Sequence, residues 1–143
     1  MKSATAICKN GKVFLQGYAE TTTGIWVANG PVFVSDRLDS DGARVSILSA
    51  LAYSLHDVPH PLQSEWKSVQ APMLKAVGAK SWKALSRNAL AVGIEEVGNT
   101  ITFTPNADYE DYGGRDLTEL AVTTTLEDAN LGDALLRAFE ACR

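Results

Sequence analysis

Apolar and polar positions alternate along the first third of the chain, which predicts an antiparallel β-sheet. Short apolar runs occupy residues 4–8, 13–18, 25–27 and 32–34. Asn10-Gly11 separates the first two runs and is a strong hairpin signal, because both residues tolerate a positive φ. Further turns are expected at residues 21–24 and 28–31, so the pattern predicts a meander of four short strands.

The apolar spacing becomes helical after residue 39. The residues that recur on one expected helix face are Val45, Leu48, Ala52 and Leu55. Asp39, Ser40 and Asp41 are suitable N-caps. Pro59 and Pro61 are expected to end this helix, because proline cannot continue the backbone hydrogen-bond ladder.

Two shorter helices are expected next. Pro72 suits the first turn of a helix over residues 71–77, which Gly78 would close. Ser81 can cap a third helix over residues 82–88.

Strand patterns then return. Residues 90–97 and 100–104 alternate around a Gly98-Asn99 turn, which predicts a second hairpin. Residues 117–125 are rich in β-formers and are expected to form a further strand.

A last helix is expected near the end of the sequence. Asp128 or Asn130 can cap it. Its expected apolar stripe comprises Leu131, Leu135, Ala138 or Phe139, and Cys142. Because strands and helices are grouped rather than alternating, we expect one α+β domain over residues 1–143. It would consist of an antiparallel sheet, made of the N-terminal meander and the second hairpin, packed with about four helices.

Charge is distributed unevenly along the sequence. The 143 residues carry a formal net charge of −4. Ten acids and one base lie between Glu95 and Asp133, so this span carries −9 and the remainder +5. The negative total disfavours nucleic acid as a direct partner, because binding phosphates requires a basic face. The local excess predicts an acidic face, which is either a solvated surface or a surface for a basic partner.

One segment combines this negative charge with aromatic residues. Residues 105–114 are polar and are expected to form an exposed loop. The candidate partner-binding residues are Asp108, Tyr109, Glu110, Asp111, Tyr112 and Asp116. Tyrosine is enriched at interface hot spots, and carboxylates pair with arginine and lysine. The segment is therefore either an interaction site or a solvated loop.

No residue pattern predicts a catalytic, cofactor or metal site. His56 and His60 lie four residues apart around Asp57, but Pro59 interrupts the helix that would bring both to one ion. Cys8 lies in an apolar run without basic neighbours to lower its pKa. We therefore expect a non-enzymatic protein without a cofactor. The alternatives are a small enzyme that uses His56, His60 or Cys8, and a regulatory subunit of a larger assembly.

The cellular location is also suggested by the sequence. The N-terminal residues turn polar too early for a signal peptide, and no apolar stretch approaches the roughly 20 residues of a membrane helix. Cys8 and Cys142 are expected to be free thiols in a reducing compartment. A cytoplasmic protein is expected.

The order of several motifs resembles a known family, the immunity proteins of bacterial contact-dependent growth inhibition (CDI) systems. The segments that carry the resemblance are residues 24–27 with 30–32, residues 49–54 running into 58–61, residues 74–82, and residues 131–135. The resemblance implies an inhibitor that binds the toxic C-terminal domain of a sibling cell's large surface protein. Those toxin domains are often nucleases that act on tRNA or DNA.

The resemblance gives the acidic segment a function. A nuclease needs a basic cleft for phosphates, and an acidic surface can occupy that cleft and exclude the substrate. Members of the family differ where they meet their toxins, so the resemblance transfers no contact residues. The acidic segment is the candidate contact on its own chemistry.

Overall fold

A computed structural model describes residues 1–143 and has a seven-stranded antiparallel sheet at its centre. The strands are β1 (Lys2–Lys9), β2 (Lys12–Glu20), β3 (Trp26–Asp36), β4 (Leu90–Val97), β5 (Thr100–Ala107), β6 (Arg115–Asp116) and β7 (Val122–Thr125). Their hydrogen-bonded order is β3-β2-β1-β4-β5, and β6 and β7 both pair with β5. The two predicted hairpins, β1-β2 and β4-β5, are therefore joined through β1 and β4 at the middle of the sheet.

Four α-helices pack on this sheet, which confirms the predicted α+β class. They are α1 (Ser40–Leu51), α2 (Trp66–Val77), α3 (Trp82–Ser86) and α4 (Leu131–Ala141). Single 3₁₀ turns at Gln63–Glu65 and Thr118–Leu120 precede α2 and β7. None of the helices combines the length and the apolar character that crossing a membrane requires.

One face of the sheet, the α1/α4 face, carries the main hydrophobic core. Leu15, Ile94 and Phe103 project from the strands into the space beneath the two helices, and Phe139 of α4 is fully buried against them. The helices approach closely at Gly132, where an added Cβ would collide with the carbonyl oxygen of Ser40. This side of the molecule is therefore closely packed.

The opposite face, the α2 face, has a smaller core. Ile7 and Phe14 pack there against Met73 of α2, Leu85 of α3 and Ala89. Helix α2 lies over β2 and β3, and α3 is held at the end of β1, where Lys9 Nζ donates to the carbonyls of Ala84 and Leu85. Coverage of this face is therefore partial.

The predicted four-strand meander is wrong in one respect. Residues 28–31 do not form a turn, because β3 runs through them as one strand from Trp26 to Asp36. Pairing with β2 shifts register in this region, from Leu15–Phe33 to Gly17–Asn29. An irregularity of this kind accommodates a glycine and a proline that regular pairing would not.

The predicted apolar face of the first helix is also wrong. Asp39 does cap α1, with its Oδ1 accepting a hydrogen bond from the Gly42 N–H at 2.9 Å. The helix is rotated, however, so that Ala43, Ile47, Ala50 and Leu51 are buried while Val45 is 62% exposed. It ends at Leu51, eight residues before Pro59, so the prolines do not terminate it.

The remaining elements follow the sequence patterns with shifted boundaries. Helix α2 begins at Trp66, so Pro72 lies within the helix rather than in its first turn, while Gly78 closes it at φ 81° as expected. The Ser81 Oγ caps α3 by accepting from the Ala84 N–H at 3.1 Å. The strand expected over residues 117–125 is confirmed only from Val122, because a 3₁₀ turn occupies its start.

Candidate functional site

The acidic segment forms a tight loop over residues 108–114, between β5 and β6. Backbone hydrogen bonds close it: the N–H of Asp111 donates to the Asp108 oxygen at 2.8 Å, and the N–H of Gly114 donates to the Asp111 oxygen at 2.9 Å. Asp108 and Tyr112 adopt left-handed backbone angles of 55° and 52°. The N–H of Asp108 also donates to the carbonyl of Arg143 at 3.0 Å. The loop therefore presents its side chains from a fixed backbone.

The two tyrosines of the loop have different surroundings. Tyr109 packs against the smaller core, close to Trp82 and Tyr18. Burial raises its pKa to about 12, while a hydrogen bond with Trp82 acts in the opposite direction. The ring of Tyr112 is fully exposed. Tyr109 thus anchors the loop, and Tyr112 is the aromatic group presented to solvent.

The loop carboxylates are exposed and lack cationic partners. Asp108, Asp111 and Asp116 are exposed, and Asp116 Oδ1 accepts a long hydrogen bond from Asn106 Nδ2 at 3.4 Å. Glu110 accepts from the backbone N–H of Asn88, which ties the loop to the segment after α3. The structure contains two ion pairs, Lys12–Asp36 at 3.1 Å and His56–Glu20 at 3.2 Å, and both lie elsewhere. None of these carboxylates therefore forms an ion pair within the chain, although Arg143 lines the same surface hollow as Asp108 and Asp111.

The two histidines are not brought together. The Nδ1 of His56 pairs with Glu20, and its ring packs edge-on against Trp26, with 5.6 Å between the ring centroids. His60 packs edge-on against Trp66 at 5.9 Å. No three His, Cys, Asp or Glu side chains form a group that could hold a metal ion.

The two cysteines are packed against the sheet. Burial raises the pKa of the Cys8 thiol despite the nearby Arg37, and burial likewise raises the pKa of the Cys142 thiol. Cys142 Sγ donates to the carbonyl oxygen of Ala91 at 3.4 Å. Thiols with raised pKa values hold less of the nucleophilic thiolate at neutral pH.

A cavity of about 160 Å³ lies between α2 and the sheet. Three tryptophans, Trp26, Trp66 and Trp82, line it together with the buried Gln16. Gln16 Nε2 donates to the Gly30 carbonyl at 2.9 Å. Neither His56 nor Cys8 lines this cavity, so the groups considered for catalysis do not meet in a pocket.

One surface was missed by sequence reasoning. The α2 face of the sheet is bare over β4, β5 and β7 and over the first half of β1; we call this region the open face. Its residues are Ser3, Thr5, Gly93, Glu95, Val97, Thr100, Thr102, Thr104, Thr123 and Thr125. The signal was present in the sequence, since threonine recurs at every second position from Thr100 to Thr104. It could not be interpreted without knowing where the helices pack.

A comparison with protein families gives one match. A family model described as CDI immunity protein matches residues 53–142, which is more than half of the chain. The matched region includes α2 to α4 and β4 to β7, and with them the acidic loop. No curated protein matches the chain.

Two solved structures are similar over nearly the whole chain. A protein of unknown function from Neisseria meningitidis matches with a TM-score of 0.79 and 18% sequence identity, covering 99% of this chain and 95% of that one. A chain from a CdiA-CT/CdiI toxin and immunity complex of Yersinia pseudotuberculosis matches with a TM-score of 0.78 and 14% identity, covering 99% and 97%. At these identities the likeness shows a common fold.

Proposed function

The chain belongs to the CDI immunity protein family, and we propose that it binds the toxic C-terminal domain of a cognate CDI toxin and blocks its activity. The Yersinia pseudotuberculosis complex, one chain of which shares this fold, supports a toxin as the kind of partner. The proposed action is stoichiometric binding in the cytoplasm of the protected cell and involves no catalytic turnover.

The observation that carries the chemistry of this proposal is the set of carboxylates on the 108–114 loop that form no ion pair within the chain. Carboxylates that already pair with cations of their own chain must break those pairs before they can bind a cationic partner. Asp108 and Asp111 have no such pairs, and the backbone that holds them is closed by hydrogen bonds. A preformed loop loses little conformational entropy on binding, which favours a tight complex.

We further propose that the toxin domain is a nuclease and that the acidic loop covers its phosphate-binding surface. Such a surface must be basic in order to hold nucleic acid. An acidic protein occupies it by charge complementarity and excludes the substrate. The same complementarity accelerates capture, with association rates up to about 10⁸–10⁹ M⁻¹s⁻¹ at low salt.

The test is a variant with fewer charges in and beside the loop, assayed against the purified cognate toxin domain. Asp108→Asn, Asp111→Asn and Asp116→Asn together remove three charges and leave Glu110, which hydrogen-bonds to the backbone of Asn88. We expect association to slow about tenfold at low salt and the difference to shrink as salt rises. The measurements are association kinetics at several salt concentrations and survival of cells that produce the toxin domain.

A matched control separates the loop from the total charge. Asp41→Asn, Asp57→Asn and Glu140→Gln remove three exposed charges elsewhere on the surface. Asparagine suits position 57, where φ is 57°. Equal slowing in both variants would mean that net charge matters and the loop does not. A toxin that kills cells despite abundant wild-type chain would refute the immunity function itself.

A further inference from the structure

The sheet is covered unequally on its two sides. Helices α1 and α4 pack over one face, whereas on the other face α2 packs over β2 and β3 and α3 is held at the end of β1. The open face is what remains uncovered. An antiparallel sheet commonly packs one face on the core and presents polar side chains to solvent on the other. The open face is polar in this way, but it consists mainly of threonines and carries a single charged residue, Glu95.

The residues of the open face form cross-strand rows. One row runs through Ser3, Glu95, Thr102 and Thr123, a second through Thr5, Gly93 and Thr104, and a third through Val97, Thr100 and Thr125. Threonine offers a methyl group and a hydroxyl on a stiff side chain, so such rows can contact both apolar and polar groups at little entropic cost. Glu95 is the single charged residue among them, and no lysine or arginine neutralises it.

The middle of the open face is flat. A Cβ added at Gly93 would have no neighbour closer than the carbonyl oxygen of Thr104, at 4.0 Å. A second glycine in a sheet strand, Gly17 in β2, lies directly under α1, where a Cβ would collide with the carbonyl of Ala50. No packing inside this chain therefore requires glycine at position 93, and the space above it is free.

The open face is continuous with the acidic loop. Tyr109 of the loop lies near Tyr18, and Tyr18 in turn lies near Thr5 at the edge of the open face. On the other side, Asp116 is paired with Asn106, which lies two residues after Thr104 in β5 and on the same face of that strand. The loop and the open face together form one surface that carries negative charge at its centre and along its rim.

We propose that the open face is a contact surface for the toxin domain, in which a flat, basic element of the toxin lies against Gly93 with an arginine or lysine opposite Glu95. This inference rests on the proposed function. Charge complementarity selects the occupant, since Glu95 is the single charged residue on the open face and the adjacent loop carries Asp108, Glu110 and Asp111. A second copy of this chain is disfavoured because two-fold pairing would bring Glu95 and Asp116 against like charges.

Position 93 allows a direct test with a matched pair of variants. Gly93→Arg places a long, positively charged side chain in the middle of the face, whereas Gly93→Thr continues the existing threonine rows. The Cβ that both variants introduce has no neighbour closer than 4.0 Å in the folded chain. Thermal unfolding of both variants checks that the fold is intact, and binding of each to the purified toxin domain is then measured.

We expect Gly93→Thr to bind within about threefold of wild type and Gly93→Arg to bind at least about 100-fold more weakly, as a charged obstacle in an interface core does. Glu95→Gln should slow association and flatten its salt dependence. Unchanged binding by a folded Gly93→Arg variant would overturn the inference while leaving the immunity function standing. Sedimentation showing a wild-type dimer that Gly93→Arg converts to monomer would overturn it in favour of self-association. Failure of the wild type to bind the toxin would instead refute the proposed function.

Discussion

The two faces of the sheet divide the molecule into a packed side and an available side. On the α1/α4 face, Leu15, Ile94 and Phe103 are fully buried beneath two helices, and even single glycines are in van der Waals contact with a helix. On the open face, Thr100 and Glu95 are exposed to solvent, and a Cβ added at Gly93 would have no neighbour closer than 4.0 Å. The difference indicates that substitutions should affect stability on one side and recognition on the other. Each prediction below tests that division, beginning with the largest expected effect.

Truncation of the packed side should be the most costly change. Phe139→Ala is expected to lower the free energy of unfolding by about 3–5 kcal/mol, because a fully buried ring leaves a cavity behind. Val97→Thr on the open face, where the valine is 61% exposed, should change it by less than about 0.5 kcal/mol. Urea unfolding of both variants measures the two values. Similar losses would remove the distinction between the faces.

Two glycines in the middle of strands offer a sharper comparison. Gly17→Ala should cost about 1–3 kcal/mol through overpacking, because its Cβ would collide with the Ala50 carbonyl and lie 3.1 Å from the Tyr53 Cβ. Gly93→Ala should instead stabilise the protein by about 0.5–1 kcal/mol, since alanine loses less backbone entropy in a strand. Opposite signs in thermal or urea unfolding are the expected result. A lower free energy of unfolding for both Gly17→Ala and Gly93→Ala would mean that the open face is covered in solution.

Two lysines next to the first turn test how α3 is held on the partly covered face. The Nζ of Lys9 donates to the carbonyls of Ala84, Leu85 and Arg87 at 2.8, 2.9 and 2.6 Å. Lys9→Met should therefore cost about 1–2 kcal/mol and speed amide exchange in α3. Lys12→Met breaks only an exposed pair with Asp36 and should cost less than about 1 kcal/mol. Equal losses of unfolding free energy in the two variants would show that the hydrogen bonds from Lys9 to α3 contribute little to stability.

The smallest expected effect concerns the anchor of the acidic loop. Burial raises the pKa of Tyr109 from 10.0 to about 12, so the folded state retains a proton that the unfolded state loses above pH 10. Stability is therefore present below pH 10 and is lost as the pH rises toward 12. Tyr109 should account for about 1 kcal/mol of the loss by pH 11. The free energy of unfolding of Tyr109→Phe should fall by about 1 kcal/mol less than that of the wild type between pH 9 and pH 11. Equal falls in the two proteins would mean that the Tyr109 hydroxyl is exposed to solvent.

Local signals in the sequence predicted most elements of the fold. Asn10-Gly11, Gly78 and Ser81 act through their own backbone or nearest neighbours, and each was interpreted correctly. The α1 face was mistaken because Val45 looks like a core residue in isolation. Alanines such as Ala43 and Ala50 are buried instead, because a closely packed helix crossing needs small side chains.

The candidate site was less accessible to sequence reasoning. The acidic loop stood out by composition, but the inward packing of Tyr109 depends on Trp82, 27 residues earlier in the chain. The open face depends on which strands the helices leave bare, and that is a property of the three-dimensional arrangement. Threonines on alternate positions predict a strand equally well whether the face is covered or not. Non-local packing therefore limits what the sequence alone can reveal about this surface.

A sheet with one bare side has an evolutionary consequence. At Gly93 the space for a side chain is free, and Thr100, Thr123 and Thr125 are exposed, so substitutions at these positions are expected to cost little stability. On the other side, volume and contact restrict change to replacements that preserve the packing. Two solved structures share this architecture at 18% and 14% identity. Such low identity is compatible with a packed side that fixes the fold and an exposed side whose residues can vary.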